Sequence, residues 1–303
     1  MSLAFLYAGQ GSQHPGMGAD LYEAHPAFRA VLDAAGVDFD LKTTMFTDPD
    51  GVLNLTEYTQ PCMVAFATGV TEVLQEKGVR PSVTAGLSLG EYSALHASGV
   101  LDPATAIELV AFRGKAMAEA VQGRLSAMAA IFMLGREELQ ACCDAASHLG
   151  VAEIANLNCP GQIVIGGDAL AVEEAGCLAL EAGARRVIPL KVSGPFHTSL
   201  MAPAGRALEE RLKGVEFGPM EVPTLFNCLG GPMREGDTIP GLLVRQVQNS
   251  VHMEDSIRFL EAQGVDTVVE IGPGKALSGF VKKTAKGIKT YAVETAEDLE
   301  HVV

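Results

Sequence analysis

The sequence predicts an α/β fold, in which a mainly parallel sheet is covered by helices and a smaller unit with its own sheet is inserted. Three observations carry this reading. Short apolar runs end in Gly-containing loops and alternate with helix-length segments, as expected of parallel strands buried on both faces. Helix boundaries are marked, as at Asp102-Pro103, where an N-cap residue precedes Pro at the first helical position. Residues 126 to 192 follow a βαββαβ order that differs from the alternation on either side.

In chain order, Leu3 to Tyr7 reads as a buried strand running into Gly9-Gln10-Gly11-Ser12-Gln13. Residues 59 to 77 read as a helix, 83 to 87 as a second strand and 89 to 97 as a short helix stopped by Gly99. The helix opened by Pro103 runs to about Val121. The inserted unit reads as strand 127 to 134, helix 136 to 148, strands 151 to 157 and 162 to 166, helix 169 to 182 and strand 186 to 192. This is the ferredoxin-like arrangement. Helices near 198 to 213, 240 to 248, 254 to 263 and 275 to 285, with strands near 222 to 227 and 267 to 271, complete the large domain. Its expected extent is 1 to 124 together with 193 to 303, with the small domain at 125 to 192.

Of 303 residues, 48% are hydrophobic and 19% charged, a globular composition. No apolar run approaches the ~20 residues of a membrane span, and the start lacks a basic leader region, so a cytoplasmic protein is expected. The net charge of -15 argues against nucleic acid as a partner. Six Cys (62, 142, 143, 159, 177 and 228) form no metal-ligand or C-x-x-C spacing, so reduced thiols and no metal are expected.

Gly86-Leu87-Ser88-Leu89-Gly90 fits the G-x-S-x-G elbow, in which a sharp strand-to-helix turn exposes a nucleophilic Ser. The helix start at Leu89 would aim backbone N–H groups at a developing oxyanion. A Ser nucleophile needs a base. His197, in the loop Ser193-Gly194-Pro195-Phe196-His197, is favoured modestly over His252 because that loop re-enters the large domain. His96, in the helix after the elbow, is expected to pack or to face solvent, and His14, His25, His148 and His301 lack a motif. The dinucleotide fingerprint fails where His14 replaces its third Gly, and Gly272-Pro273-Gly274-Lys275 lacks the P-loop spacing. Arg113 shares an apolar helix stripe with Ala106, Val110, Met117 and Ala120. A guanidinium there either snorkels outward or meets an anion in a cleft.

These motifs resemble the malonyl-CoA:acyl-carrier-protein transacylases over nearly the whole chain. The resemblance rests on Gly9 to Gln13, Gly86 to Leu95, Arg113-Gly114, Asn158-Cys159-Pro160-Gly161-Gln162, Phe196-His197, Val244-Arg245-Gln246 and Glu270 to Lys275, all in family order. It implies a hydrolase-like α/β core with the ferredoxin-like insert. It implies Ser88 as acylated nucleophile, His197 as general base oriented by a carbonyl at Gln246, and Arg113 as clamp on the malonyl carboxylate. The backbone amides of Gln10 and Leu89 would form the oxyanion hole, and Phe196 would exclude an α-branch. No cofactor is implied beyond the coenzyme A thioester substrate. The expected partner is an acidic acyl carrier protein, met by a local basic patch drawn from Arg185, Arg186, Lys191, Lys275, Lys282 and Lys283. A monomer is the default. The chain departs from the family pattern in Leu87, where His is common, and in Ala8, where Pro is common. A serine thioesterase on the same elbow, or a silent docking module, are the competing readings.

Overall fold

The computed structural model describes residues 2 to 302. Its larger sheet has the order β7-β2-β1-β8-β9 and every pairing is parallel. The strands are β1 (Leu3–Tyr7), β2 (Val83–Gly86), β7 (Thr224–Leu225), β8 (Thr267–Ile271) and β9 (Lys289–Val293). β1, β2 and β8 are short uninterrupted apolar runs because both faces are covered: Phe5 and Tyr7 join one buried cluster while Ala4 and Leu6 join another.

Helices α1 (Ala19–Ala24), α2 (Pro26–Asp33), α3 (Leu41–Phe46) and α4 (Thr56–Glu76) lie between β1 and β2. α4 is buried along most of its length, the signature of a core helix rather than an amphipathic surface one. After β2 come α5 (Gly90–Ala97) and α6 (Pro103–Glu119), the latter capped by Asp102, whose side chain accepts from the Thr105 N–H.

The inserted unit comprises β3 (Ser126–Phe132), α7 (Arg136–Ala146), β4 (Ala152–Cys159), β5 (Gln162–Asp168), α8 (Ala169–Glu181) and β6 (Arg186–Pro189). Its strands form an antiparallel sheet of order β4-β5-β3-β6, the ferredoxin-like order. The period of two decides its two faces. Ala129, Ile131, Ile163 and Ile165 pack under α7 and α8, whereas Met128, Ala130 and Val164 face the larger core. The small sheet is tied at β4 to the segment around Val251, where the Val251 N–H donates to the Ala155 carbonyl and the Leu157 N–H to the Val251 carbonyl, each at 2.8 Å. Arg136 adds a bidentate pair with Asp255.

The chain ends through α9 (Ala202–Leu212), α10 (Ile239–Val247), α11 (Met253–Ala262), α12 (Ala276–Thr284) and α13 (Ala296–Glu300). Four expectations need correcting. α4 begins at Thr56 rather than 59, and residues 222 to 227 yield only the two-residue β7. β6 stops at Pro189 rather than 192, because proline has no N–H for the ladder and the chain then turns, with the Val192 N–H donating to the Leu190 carbonyl. α1 to α3, β9 and α13 have no counterpart in the sequence reading. Among the described residues, no helix is long and apolar enough to cross a membrane.

Candidate functional site

The carboxyl ends of β1 and β2 open into a cavity of about 500 Å³ between the two sheets, where ligands bind in open α/β folds. Ser88, at the turn from β2 to α5, has φ 56°. The flanking glycines make that turn possible. A Cβ on Gly86 would overlap the Gly90 carbonyl, and one on Gly90 would overlap the Tyr7 carbonyl, so both positions exclude every other residue. His197 is also left-handed, with φ 61°, and its side chain is buried beside the Ser88 hydroxyl.

His197 Nδ1 lies 2.8 Å from the Gln246 carbonyl and Nε2 lies 2.7 Å from Ser88 Oγ. A carbonyl can only accept, so Nδ1 carries the proton and Nε2 accepts from the serine hydroxyl. Burial, aided by the neighbouring Arg113 charge, pushes the imidazole pKa down to about 3 and keeps the ring neutral. His252 sits elsewhere, 3.0 Å from Asp255, so of the two candidate histidines it is His197 that lies against Ser88. His96 is buried against the Leu101 carbonyl.

Arg113 is fully buried, so it does not snorkel. Its Nη1 donates to Gln60 Oε1 at 2.7 Å, and its Nη2 donates to Gln246 Oε1 at 2.9 Å and to Ser88 Oγ at 3.1 Å. Tyr92 presents its ring 5.8 Å away. Every oxygen on the guanidinium is neutral, Nε has no partner, and no carboxylate lies within ion-pair distance among the described residues. Burial accordingly lowers the Arg113 pKa. A desolvated cation held only by neutral oxygens is suited to receiving an anion at the cavity floor.

Sequence reasoning missed Gln60, Glu91 and Asn227. Gln60 donates to Thr56 Oγ1, which donates to Gln10 Oε1, so the Arg113 network reaches the loop after β1. Asn227 Oδ1 accepts from the Ser88 N–H at 2.7 Å, and its backbone N–H donates to the buried Glu91 at 2.6 Å. Gln60 and Asn227 stand inside segments read only as a helix and a strand, Glu91 stands in the elbow motif without an assigned role, and the partner of each lies far away in sequence. Gln10 and Leu89 both line the cavity, and their backbone N–H groups have no partner among the described residues. Leu87 lines the wall beside Ser88, and Phe196, Met117 and Met128 supply apolar surface opposite.

Of the six basic residues expected to form a patch, Lys191 alone lines the cavity. Arg185 and Arg186 lie at the far end of β6, with Arg186 over the Phe132 ring, while Lys275, Lys282 and Lys283 sit at the two ends of α12. No group of three or more His, Cys, Asp or Glu side chains able to hold a metal occurs among the described residues.

A family model described as acyl transferase domain matches residues 4–299. The malonyl CoA-acyl carrier protein transacylase of Bacillus subtilis is 44% identical over 98% of this chain and 95% of its own. A crystal structure of MCAT from Streptococcus pneumoniae superposes with a TM-score of 0.94 at 45% identity, covering 99% of both chains. A malonyl-transacylase solved in complex with its type II PKS acyl-carrier protein superposes at 0.95, with 39% identity over 99% of this chain and 98% of its own. With Ser88, His197 and Arg113 gathered at one cavity and the likeness spanning nearly the whole chain, this protein belongs to the malonyl-CoA:acyl-carrier-protein transacylase family of acyl transferases.

Proposed function

We propose that this chain moves a malonyl group from coenzyme A to the phosphopantetheine thiol of an acyl carrier protein through an ester on Ser88. In the first half-reaction His197 Nε2 takes the Ser88 proton as Oγ attacks the thioester carbonyl. The C–S bond then breaks and the coenzyme A sulfur leaves with that proton. In the second half the carrier thiol gives its proton to His197, its sulfur attacks the ester carbonyl, and Ser88 Oγ leaves reprotonated. The free amides of Gln10 and Leu89 would receive the oxyanion in both halves. The Gln246 carbonyl, in place of the usual Asp, keeps His197 in the required tautomer, so the machinery is a dyad.

The observation that carries this reading is Arg113, a fully buried guanidinium with no carboxylate partner, in contact with Ser88 Oγ. A malonyl carboxylate supplies the missing anion. Pairing also offsets the charge that depresses His197, so substrate makes its own base stronger. Phe196, with Met117 and Met128, would exclude a branched α-carbon.

Because Ser88, His197, Arg113 and Gln246 all come from one chain, we take the working unit to be a monomer. Its six cysteines are unpaired, in keeping with a cytoplasmic setting, and the coenzyme A thioester is the only small molecule the chemistry needs. Labelled malonyl-CoA, supplied with and without carrier protein, tests the proposal. The expected result is a label on Ser88, absent from Ser88→Ala, that discharges to carrier protein. Rapid release of free malonate would instead mean a thioesterase, and no label a silent module.

A further inference from the structure

The backbone N–H of Ser88, in left-handed conformation, donates to a side chain 139 positions away. β7 pairs with β2 through Thr84↔Thr224 and Ala85↔Leu225 only, so the ladder ends just before the elbow. Two residues beyond β7, the Asn227 side chain continues that ladder. Its Oδ1 accepts from the Ser88 N–H at 2.7 Å, and its Nδ2 donates to the Gly86 carbonyl at 2.6 Å. A side-chain amide thus stands where the next peptide of a strand would stand, engaging one donor and one acceptor across the turn. Asn227 is itself immobilised. The His252 N–H donates to its carbonyl at 2.9 Å and its own N–H donates to Glu91 Oε2 at 2.6 Å, so all four of its polar groups are engaged. Asn227 is buried and does not line the cavity.

We propose that Asn227 is a positioning residue for acyl transfer, acting through the elbow rather than on the substrate. By engaging the Ser88 N–H and the Gly86 carbonyl it holds Ser88 in the left-handed conformation, which an L residue keeps only under constraint. That conformation sets Oγ against His197 Nε2 and leaves the Leu89 amide, rather than the Ser88 amide, unengaged at the cavity. No other side chain reproduces both bonds. Gln is one methylene too long, Ser offers one atom, and Asp can donate to Gly86 only when protonated.

The proposal rests on Ser88 being the acylated nucleophile, and labelling of the wild-type protein checks that separately. If wild type takes no label from malonyl-CoA, the functional reading fails and Asn227 is not at issue. With wild type labelled, rapid-quench acylation of the full chain gives a maximal rate and an apparent affinity for malonyl-CoA. Asn227→Ala should lower the rate by about 100-fold, the order seen when one oxyanion donor is lost, at unchanged affinity. Acylation at the wild-type rate, or a loss confined to affinity, overturns the proposal. Asn227→Asp keeps the acceptor for Ser88 and regains the donor to Gly86 on protonation. Burial beside the Glu91 carboxyl lifts an introduced Asp carboxyl above its ordinary ~3.9, by up to about 3 to 5 units, so the variant's rate relative to wild type at the same pH should climb as pH falls from about 8 to about 5. A ratio flat with pH overturns the proposal and decides the matter even where the Ala variant does not fold.

Discussion

Replacing Arg113 with Ala tests the substrate assignment most directly. The side chain is fully buried and donates to Gln60, Gln246 and Ser88 without meeting a carboxylate. A malonyl carboxylate would form a desolvated, two-pronged pair with it. Truncating one partner of such a pair costs roughly 2 to 5 kcal/mol, or about 30-fold to several thousand-fold in kcat/KM. Acetyl-CoA has no carboxylate to lose, and removing the Arg113 charge relieves one of the causes that depress His197. Acetyl transfer should therefore hold or rise while malonyl transfer collapses. Arg113→Lys should recover only part, because an ammonium cannot make the forked contact. The assay is kcat/KM for malonyl-CoA and acetyl-CoA in wild type and both variants, with thermal midpoints to follow folding, since Gln60 and Gln246 each lose a donor. Equal depression of both substrates would refute the reasoning and reduce Arg113 to a structural role.

Three further outcomes follow from the same geometry. His197 is held neutral with its pKa pushed down to about 3, so kcat/KM for loading should stay nearly flat from about pH 8 to about pH 5; an acid limb centred near the ordinary 6.5 would contradict the burial argument. Glu91 is buried and raised to about 8, so it keeps its proton in the folded chain where the unfolded chain has released it near 4.5. Stability should then fall as pH rises from 4.5 through 8, and Glu91→Gln should be more stable than wild type at the upper end and not below 4.5, as read from urea midpoints. Reversing Lys191, the one residue of the expected basic patch that lines the cavity, to Glu should raise the KM for an acidic carrier protein; an unchanged KM would remove it from the docking face.

The parts of the fold that sequence reveals are those whose pattern is local. β1 and β8 stand out because strands covered on both faces are unbroken apolar runs, and α6 stands out because Asp102-Pro103 marks its start. α1, α2 and α3 span six, eight and six residues, too short for a clear helical period. β7 is two residues of pairing whose existence depends on β2 lying beside it. The site divides the same way. Ser88 announces itself through two glycines that no other residue can replace, and Arg113 through its place on an apolar stripe. Gln60 and Asn227 do not, because each acts on a group 53 or 139 positions away, and nothing local distinguishes a buried amide that braces from one that merely packs.

Gln246 shows why such bracing is needed. Ser88 and His197 both occupy left-handed backbone, so neither would stay in place on local preference alone. Gln246 engages both and the cation between them: its carbonyl accepts from His197 Nδ1, its Nε2 donates to the Ser88 carbonyl at 2.7 Å, and its Oε1 accepts from Arg113 at 2.9 Å. The three contacts come from α10, whose Val251-side continuation is tied to β4 of the small sheet by two backbone hydrogen bonds. A displacement of the small sheet would therefore be felt at the histidine, the serine and the arginine through one residue. The Arg113 guanidinium, the His197 imidazole and the Ser88 backbone are thus joined through a single glutamine.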